Sequence, residues 1–568
     1  MRTMLMCFNS LVILAVIVFF IQVFTLGQQK EFRSRSIWSW ECKGEPGQEQ
    51  CTKLESSSES SQTLETCKLT CGRYGVLWPR PRGHVTLSSK TVPIHLKSIN
   101  KTNESYDLLL ERKDDLNVRA HMKATTLYGI RHAFETLLQL IAVDEIHDCL
   151  QILESAKIAD SPAYVHRGVL VDTSRNFISL KTLKLVIDGL SYNKMNVLHW
   201  HVTDSQSFPL QLPRIPKLSQ YGSYSPNMVY SPADVKELVE YARSRGVRIL
   251  PELDTPAHVG EGWQWGPDAG MGNLAVCIGK EPWQKYCYQP PCGLLNPVNE
   301  NLYPVLKDIY TDMLKMFESD LFHMGGDEVL FPCWNETEEI IEWMQTQGYE
   351  KEDFIRLWAE KFQKTAYDKL TEANADVKMP VILFTSKLTE NERVENYLPK
   401  EDYIIQTWED RDNIGRYAHL ISKGYRMIFS NYDSLYLDCG YGPWVGGDGQ
   451  NWCSPYKSWQ RIYDNDIFKI AMNVTNFTLP EEAVRSQVLG GEACLWTETA
   501  SEGSLLSKIF PRSAALAERL WTDPSSNFTE AEVRLVHHTT RMMQLGISAD
   551  AIQPLWCYQN PGLCYIFP

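Results

Sequence analysis

The sequence predicts an α/β protein, a (β/α)8 barrel preceded by a small α/β domain, and three observations point there. After Ser161-Pro162, eight short apolar runs recur between amphipathic stretches: "RGVLVDTSR", "NVLHWHVTD", "VRILPELDTPAH", "LFHMGGDE", "VILFTS", "DYIIQTWE", "YRMIFSNYDSLYLD" and "VLGGEACLWTE". Such near-continuous apolar runs suit strands buried on both faces of a parallel sheet. The stretch between the second and third runs, "SPADVKELVEYARSRG", has Ser231 as N-cap, Pro232 at the first helical position, Asp234 at the third and a terminal glycine, which frames a helix. Finally, nearly every run ends in polar or aromatic residues, and in a (β/α)8 barrel the C-terminal strand ends form one mouth where chemistry is placed.

The elements follow in order. Residues 1–27 carry Arg2 and then "LVILAVIVFFIQVFTLG" before polar "QQKEFRSRS", the pattern of a secretory signal peptide cut near Gly27. The apolar run is long for a signal, so an uncleaved membrane anchor is the competing reading. Residues 28–162 form the small domain, with a cysteine-rich start (Cys42, Cys51, Cys67, Cys71) around the Ser-rich loop "KLESSSESSQTLET". Its strand-like pieces "VPIHLKSI", "SYDLLLE" and "NVRAHM" precede "LYGIRHAFETLLQLI", whose apolar residues fall at helical spacing. Residues 163–568 form the barrel.

Composition bounds the function. At 568 residues the chain can bury more than one large core, and its net charge of −14 with no Lys/Arg run argues against a nucleic-acid groove or a polybasic membrane patch. Of the fifteen cysteines, fourteen remain if Cys7 leaves with a signal, and no C-x-x-C spacing supports a zinc ribbon or a thioredoxin motif. An oxidised protein of the secretory pathway, ending extracellular or lysosomal, fits better. The N-x-S/T sequons at Asn100, Asn103, Asn335, Asn473, Asn476 and Asn527 agree with that compartment. Seventeen Trp and 26 Tyr are enough to supply sugar-stacking rings as well as core.

The residues expected at the barrel mouth are Arg175, Asp204, His258, Asp327, Glu328, Trp408, Tyr436, Asp438, Trp496 and Glu498. Taken singly, an acid here is a cap or a solvated charge, a Trp is core, and Arg175 and Asp204 pair with each other; their coincidence at one mouth argues for a site. A metal reading competes, because His199 and His201 in "HWHVTD" share one strand face, and with His258 and His323 they would make a zinc hydrolase. Both precede Asp204, however, which puts them deeper than the mouth, and their face could equally be helix-facing.

Asp327 and Glu328 are adjacent, so on a strand they point in different directions and cannot flank one bond from its two sides. Gly325 and Gly326 before them allow close approach of backbone and substrate. One acid can protonate a leaving oxygen while the other holds a different part of the substrate. A sugar with a 2-acetamido group supplies its own nucleophile, the carbonyl oxygen, and asks of the protein only an anion to orient the amide and balance an oxazolinium charge.

With "HMGGDEV", "HRGVLVDTSRNF", "VLHWHVTDSQSFP", "PELDTPAH", "YLD" and "GGEACLWTE" in order and at matching spacing, the chain resembles family 20 glycoside hydrolases, the β-N-acetylhexosaminidases. "CGYGPWVGGDGQNWCSPY" and "WQKYCYQPPCGLLNP" are similar to the insect chitooligosaccharide-degrading branch. The resemblance implies an exo-acting hydrolase of terminal β-linked N-acetylglucosamine, and possible action on N-acetylgalactosamine, with no cofactor and no metal. Its partners would be an oligosaccharide and a second copy of the chain in a homodimer, with no nucleic acid, and a membrane only where the N-terminal segment is retained.

Residue by residue, the resemblance makes Glu328 the general acid and then the base, and Asp327 the group that orients the acetamido nitrogen. Tyr436 would donate to the acetamido oxygen. Arg175, Asp438 and Glu498 would hold hydroxyls, with Trp408 and Trp496 as pocket walls. Asp204 and His258 would support the acids. Phe384 stands where the family has a third pocket Trp, and Ser205 follows Asp204 where many relatives have a second Asp. Trp283 and Trp444 resemble a stacking platform beyond the first sugar, whereas Tyr288 and Gln289 replace an expected Val and Glu.

The resemblance also implies the disulfides Cys42–Cys71, Cys51–Cys67, Cys277–Cys333, Cys287–Cys292, Cys439–Cys453 and Cys557–Cys564, leaving Cys149 and Cys494 free. Two other classes stay open from sequence alone, a sugar-binding surface protein without turnover and a metal-dependent barrel hydrolase.

Overall fold

The structure, a computed structural model, describes residues 38–564 apart from 45–48, 55–61, 73, 83, 89–90, 94–98, 102–105, 115–116, 125, 351, 447–448, 477 and 561–562. The expected signal or anchor, the middle of the Ser-rich loop, much of "VPIHLKSI" and the Asn103 sequon lie outside these residues. Among the described residues no helix is long and apolar enough to cross a membrane.

Eight parallel strands close the barrel in the order of the eight apolar runs: β11 (His166–Asp172), β12 (Val197–His201), β13 (Arg248–Glu252), β16 (Phe322–His323), β17 (Val381–Phe384), β18 (Tyr403–Thr407), β19 (Arg426–Phe429) and β20 (Val488–Leu495). β20 closes on β11, with Glu492 opposite Gly168. A Cβ on Gly168 would come within 2.4 Å of the Glu492 carboxylate, so only glycine leaves that acid room inside the barrel. The intervening strands β14 (Ala275–Val276) and β15 (Leu294–Leu295) form a separate pair in the long excursion before β16.

Side chains two residues apart on a strand share a face, and this stacks the interior in layers. The lowest is apolar, with Val197, Leu250, Ile382, Ile404 and Ile428 in one cluster. One step up the same strands are His199, Glu252, Phe384 and Gln406, joined by Glu492, and this layer is polar. The helix expected from "SPADVKELVEYARSRG" runs Pro232–Arg243, capped by a reciprocal pair of bonds between Ser231 and Asp234.

Ahead of the barrel, β1 (Ser39–Lys43) and β2 (Gln50–Leu54) form a hairpin pinned to the Leu64–Thr70 helix by Cys42–Cys71 and Cys51–Cys67. This corner packs on Val536 and Tyr558 from the C-terminal end of the chain. A five-stranded sheet follows, in the order β3 (Val85–Leu87), β10 (Ser155–Ala159), β6 (Asp107–Arg112), β7 (Val118–Lys123), β5 (Ile99–Lys101). A three-stranded sheet joins β4 (Thr91–Pro93), β9 (Cys149–Leu153) and β8 (Ile141–Asp144).

The helix read through Ile141 stops at Gln139, and Ile141 opens β8 instead. Strands β8 to β10 were not expected. Trp78 ties this domain to the barrel, fully buried with its indole N–H on the Ala514 carbonyl at 2.9 Å. Burial of such a ring is worth roughly 1.5–3 kcal/mol.

All six disulfides implied by the resemblance are formed, and Cys149 and Cys494 are free thiols. The sequon residues Asn335, Asn473, Asn476 and Asn527 are exposed.

Candidate active site

The glycines before the acid pair do what their position requires. Gly325 has φ +63°, and a Cβ there would fall 1.8 Å from Asp254 Oδ1. The turn seats Gly326 N–H on that same oxygen at 2.9 Å. Glu328 is itself left-handed, with φ +52°, which turns it away from the strand line. His258, also left-handed at φ +54°, stands between the acids and the rest of the mouth. Its Nε2 is 3.5 Å from Glu328 Oε2 and 3.7 Å from Asp327 Oδ2, while Nδ1 is 3.2 Å from Asp204. Two non-glycine residues in this conformation at one site mark backbone held by its surroundings for a purpose.

Asp204 is the hub. Its carboxylate meets Arg175 Nη2 at 2.8 Å and His201 Nε2 at 2.9 Å besides His258. Burial alone would raise the Asp204 pKa, but the Arg175 and His258 cations hold it well below the usual carboxylate range. Burial would likewise push His258 down, and Asp204, Asp254 and Asp327 instead raise it well above an ordinary histidine, so it faces the acids as a cation. Asp327 is raised by burial, and the neighbouring His258 cation partly offsets this. Asp254 in the same cluster is raised well above an ordinary aspartate by burial and by Asp327.

Beneath the hub, His201 Nδ1 binds Glu252 at 2.6 Å, and His199 Nδ1 binds Glu492 at 2.7 Å, with its Nε2 3.0 Å from Glu252. Burial lowers the affinity of His199 for its proton, but Glu492 and Glu252 outweigh it and lift its pKa to about 9. His201 is raised well above its ordinary value in the same way. These imidazoles face the barrel interior, not its helices. His201 has both nitrogens on carboxylates, and His199 has Nδ1 on Glu492 with Nε2 facing Glu252 at 3.0 Å. The His199 and His201 pair of "HWHVTD", where the competing zinc reading lay, sits in a buried ladder of carboxylate contacts beneath the mouth. His323 remains neutral at physiological pH, pushed by burial to about 4.

The other side of the mouth is aromatic and acidic. Tyr436, Trp408, Trp496 and Phe384 belong to one cluster. Trp408 donates its indole N–H to the Thr385 carbonyl at 2.8 Å, which fixes its plane. Trp496 lies under Arg175, 5.2 Å from ring centre to guanidinium. Phe384 is only 1% exposed and rests on His323, with ring centres 4.3 Å apart, so it is floor beneath the pocket and not an open wall. Asp438 is raised to about 7 by burial and by Glu498, and Glu498 is raised too, by burial against the pull of Arg175. Asp327 Oδ1, Asp438 Oδ1 and Arg175 Nε are buried without a hydrogen-bond partner among the described residues, polar atoms suited to a hydroxylated ligand.

The expected pairing of Arg175 with Asp204 and the expected convergence at the mouth both occur. The two outer Trp differ. Trp283 packs against the main core, and Trp444, 41% exposed, makes no ring contact with the cluster among the described residues. The ring that does reach it is Trp452, 63% exposed and edge-on to Trp408 at 6.3 Å and Tyr436 at 6.1 Å. Sequence reading passed over Trp452, although it lies in the quoted insert one residue before the disulfide cysteine Cys453. Glu252, Asp254 and Glu492 were missed as well. Their signal was an acid embedded in an apolar strand run, which burial forbids without partners.

A family model described as glycosyl hydrolase family 20, catalytic domain, matches residues 164–524. The chitooligosaccharidolytic β-N-acetylglucosaminidase of Ostrinia furnacalis is 41% identical over 592 residues, covering 93% of this chain and 96% of that protein. The protein of the same name from Bombyx mori is also 41% identical, with the same coverage of both chains. Among solved structures, the family 20 exo-β-N-acetylglucosaminidase of Vibrio harveyi in complex with N-acetylglucosamine superposes with a TM-score of 0.67 at 20% identity, covering 90% of this chain and 84% of that one. The chain belongs to glycosyl hydrolase family 20.

Proposed function

We propose that the protein is an exo-β-N-acetylhexosaminidase that removes terminal, non-reducing β-linked N-acetylglucosamine by a retaining, substrate-assisted mechanism. The observation that carries this reading is the shared imidazole: Asp327 and Glu328 both reach His258 Nε2, at 3.7 and 3.5 Å, and so act from one side of a substrate. In the forward step Glu328 gives its proton to the glycosidic oxygen as the bond to the anomeric carbon breaks. The substrate's acetamido oxygen closes on that carbon from the opposite face. Asp327 accepts from the acetamido N–H and balances the oxazolinium charge, and Tyr436 O–H steadies the acetamido oxygen. In the second step Glu328, now a carboxylate, takes a proton from water, which opens the oxazolinium ring with net retention. Arg175, Asp438 and Glu498 hold the hydroxyls, and Trp408 and Trp496 wall the sugar, with Asp204 and His258 keeping the acids in place.

Chitooligosaccharides are the proposed natural substrates. The exposed Trp452 ring at the mouth supports this, as do the names of the two insect relatives. Residues 28–162 and 163–568 form the proposed small and catalytic domains. The six disulfides support passage through the secretory pathway to an extracellular or lysosomal site. A homodimer completes the proposal, to be read by light scattering.

A chromogenic β-N-acetylglucosaminide tests the reading. The enzyme should release the chromophore, and proton NMR should show the β-anomer of the sugar first. No release, or the α-anomer first, would sink it.

A further inference from the structure

Gln289 enters the site from the side, on the excursion between β13 and β16. Its amide nitrogen donates to Glu498 Oε1 at 2.9 Å, and its amide oxygen lies 3.4 Å from Arg175 Nη2. Chemistry fixes that orientation, because a guanidinium only donates and a carboxylate oxygen accepts. Arg175 and Glu498 are the cation and anion assigned above to the sugar hydroxyls, so the Gln289 amide sets the spacing between them. The segment that carries it is braced on two sides. Cys287–Cys292 closes it with a sequence separation of 5. Gln206, from the loop after β12, donates to the Pro290 carbonyl at 2.9 Å. Neighbouring Tyr288 is 52% exposed, whereas Gln289 is half-buried with its amide turned to Arg175 and Glu498.

We infer that Gln289 is a specificity-determining residue for the terminal sugar, reading the direction of its C4 hydroxyl. The inference rests on the hexosaminidase reading. Asp327, Glu328 and Tyr436 take the C1 and C2 end of the sugar, which leaves the wall of Arg175, Gln289, Glu498 and Asp438 for the C3, C4 and C6 side. A hydroxyl both donates and accepts, and it binds best between a fixed donor and a fixed acceptor. The gluco and galacto epimers differ only in the direction of the C4 hydroxyl, so a rigid Arg175–Glu498 spacing suits one of them. A site built to hydrogen-bond a hydroxyl discriminates strongly, because the wrong ligand leaves buried polar groups unpaired.

The test compares kcat/KM for the 4-nitrophenyl β-glycosides of N-acetylglucosamine and N-acetylgalactosamine in the wild type, Gln289→Ala and Gln206→Ala. Gln289→Ala should lower kcat/KM for the preferred epimer by ~5–30-fold, chiefly through KM, and narrow the gluco/galacto ratio at least ~3-fold. Gln206→Ala leaves the amide in place but frees its support, and should move the ratio the same way by less. Equal loss on both epimers, or no change in either variant, would overturn the inference. A wild type inactive on both epimers would instead overturn the hexosaminidase reading itself.

Discussion

His258 holds its Nε2 3.5 Å from the Glu328 carboxylate while its Nδ1 is engaged by Asp204 at 3.2 Å. The imidazole therefore links the residue that braces Arg175 to Glu328, the proposed general acid and base. Charge and position are set together, because Asp204 can hold His258 protonated only from the place where it also orients the ring.

Withdrawing that cation should move the pH profile in a defined direction. A positive neighbour lowers a carboxyl pKa, and His258 is what offsets the burial that raises Asp327. In His258→Asn the Asp327 pKa should climb further, so the acidic limb of the kcat/KM profile moves to higher pH by about one unit. The value of kcat at the optimum should fall ~10–10²-fold as Glu328 loses its brace. An unmoved acidic limb would show that the imidazole does not set the charge of the pair.

Asp438 carries a stability signature of its own. Its folded pKa, raised by burial and Glu498 to about 7, lies above the ordinary aspartate value of 3.8. A carboxyl raised on folding favours the folded state at pH below 3.8, and this contribution is lost as pH rises toward 7. Asp438→Asn cannot ionise, so it should gain on the wild type between pH 4 and pH 8, by an amount of the order of 1–3 kcal/mol. Parallel thermal melts at the two pH values measure this, and equal differences at both would contradict it.

Trp452 is proposed to separate the first sugar from those beyond it. Its ring lies outside the Trp408, Tyr436 and Trp496 pocket yet touches it edge-on. Trp452→Ala should leave small aryl glycosides within about threefold of wild type. It should lower kcat/KM for chitotriose ~5–30-fold, the usual cost of removing an exposed aromatic anchor. Equal losses on both substrates would place the ring in the first subsite instead.

The barrel was legible in the sequence because each strand is a short apolar run whose last residues turn polar, and a run such as "NVLHWHVTD" shows both ends of that pattern. The acid pair was legible because two glycines and two adjacent carboxylates have few structural reasons to occur together. What escaped is instructive in physical terms. Periodicity cannot mark where the Leu127–Gln139 helix gives way to the strand at Ile141, since both bury apolar residues. Glu252 and Glu492 were hidden because pattern reading treats an apolar run as one unit. Burying two anions on inward positions demands cations, and His199 and His201, for which zinc ligation was only a competing reading, face those anions. Spacing does not distinguish Trp444 from Trp452, eight residues apart in one insert, and of the two, among the described residues, only the Trp452 ring meets those of Trp408 and Tyr436.

The split of labour between the two acids gives the sharpest test of the mechanism. Glu328→Gln removes the proton donor and should cripple substrates with poor leaving groups by ~10²–10⁴-fold, while activated aryl glycosides, which depart with little help, lose far less. Asp327→Asn keeps the shape but removes the anion facing the acetamido nitrogen, so oxazolinium formation loses its electrostatic support and even activated substrates slow by ~10²–10³-fold. External azide should not rescue Asp327→Asn with inverted product, because the nucleophile belongs to the substrate. Were a 2-fluoro sugar to leave a covalent glycosyl ester on Asp327 or Glu328, substrate assistance would be refuted. If both variants kept wild-type rates, the pair would be a turn and not a catalyst. The two profiles differ in kind, since one depends on the leaving group and the other does not, so a single series of aryl glycosides assigns each acid its step.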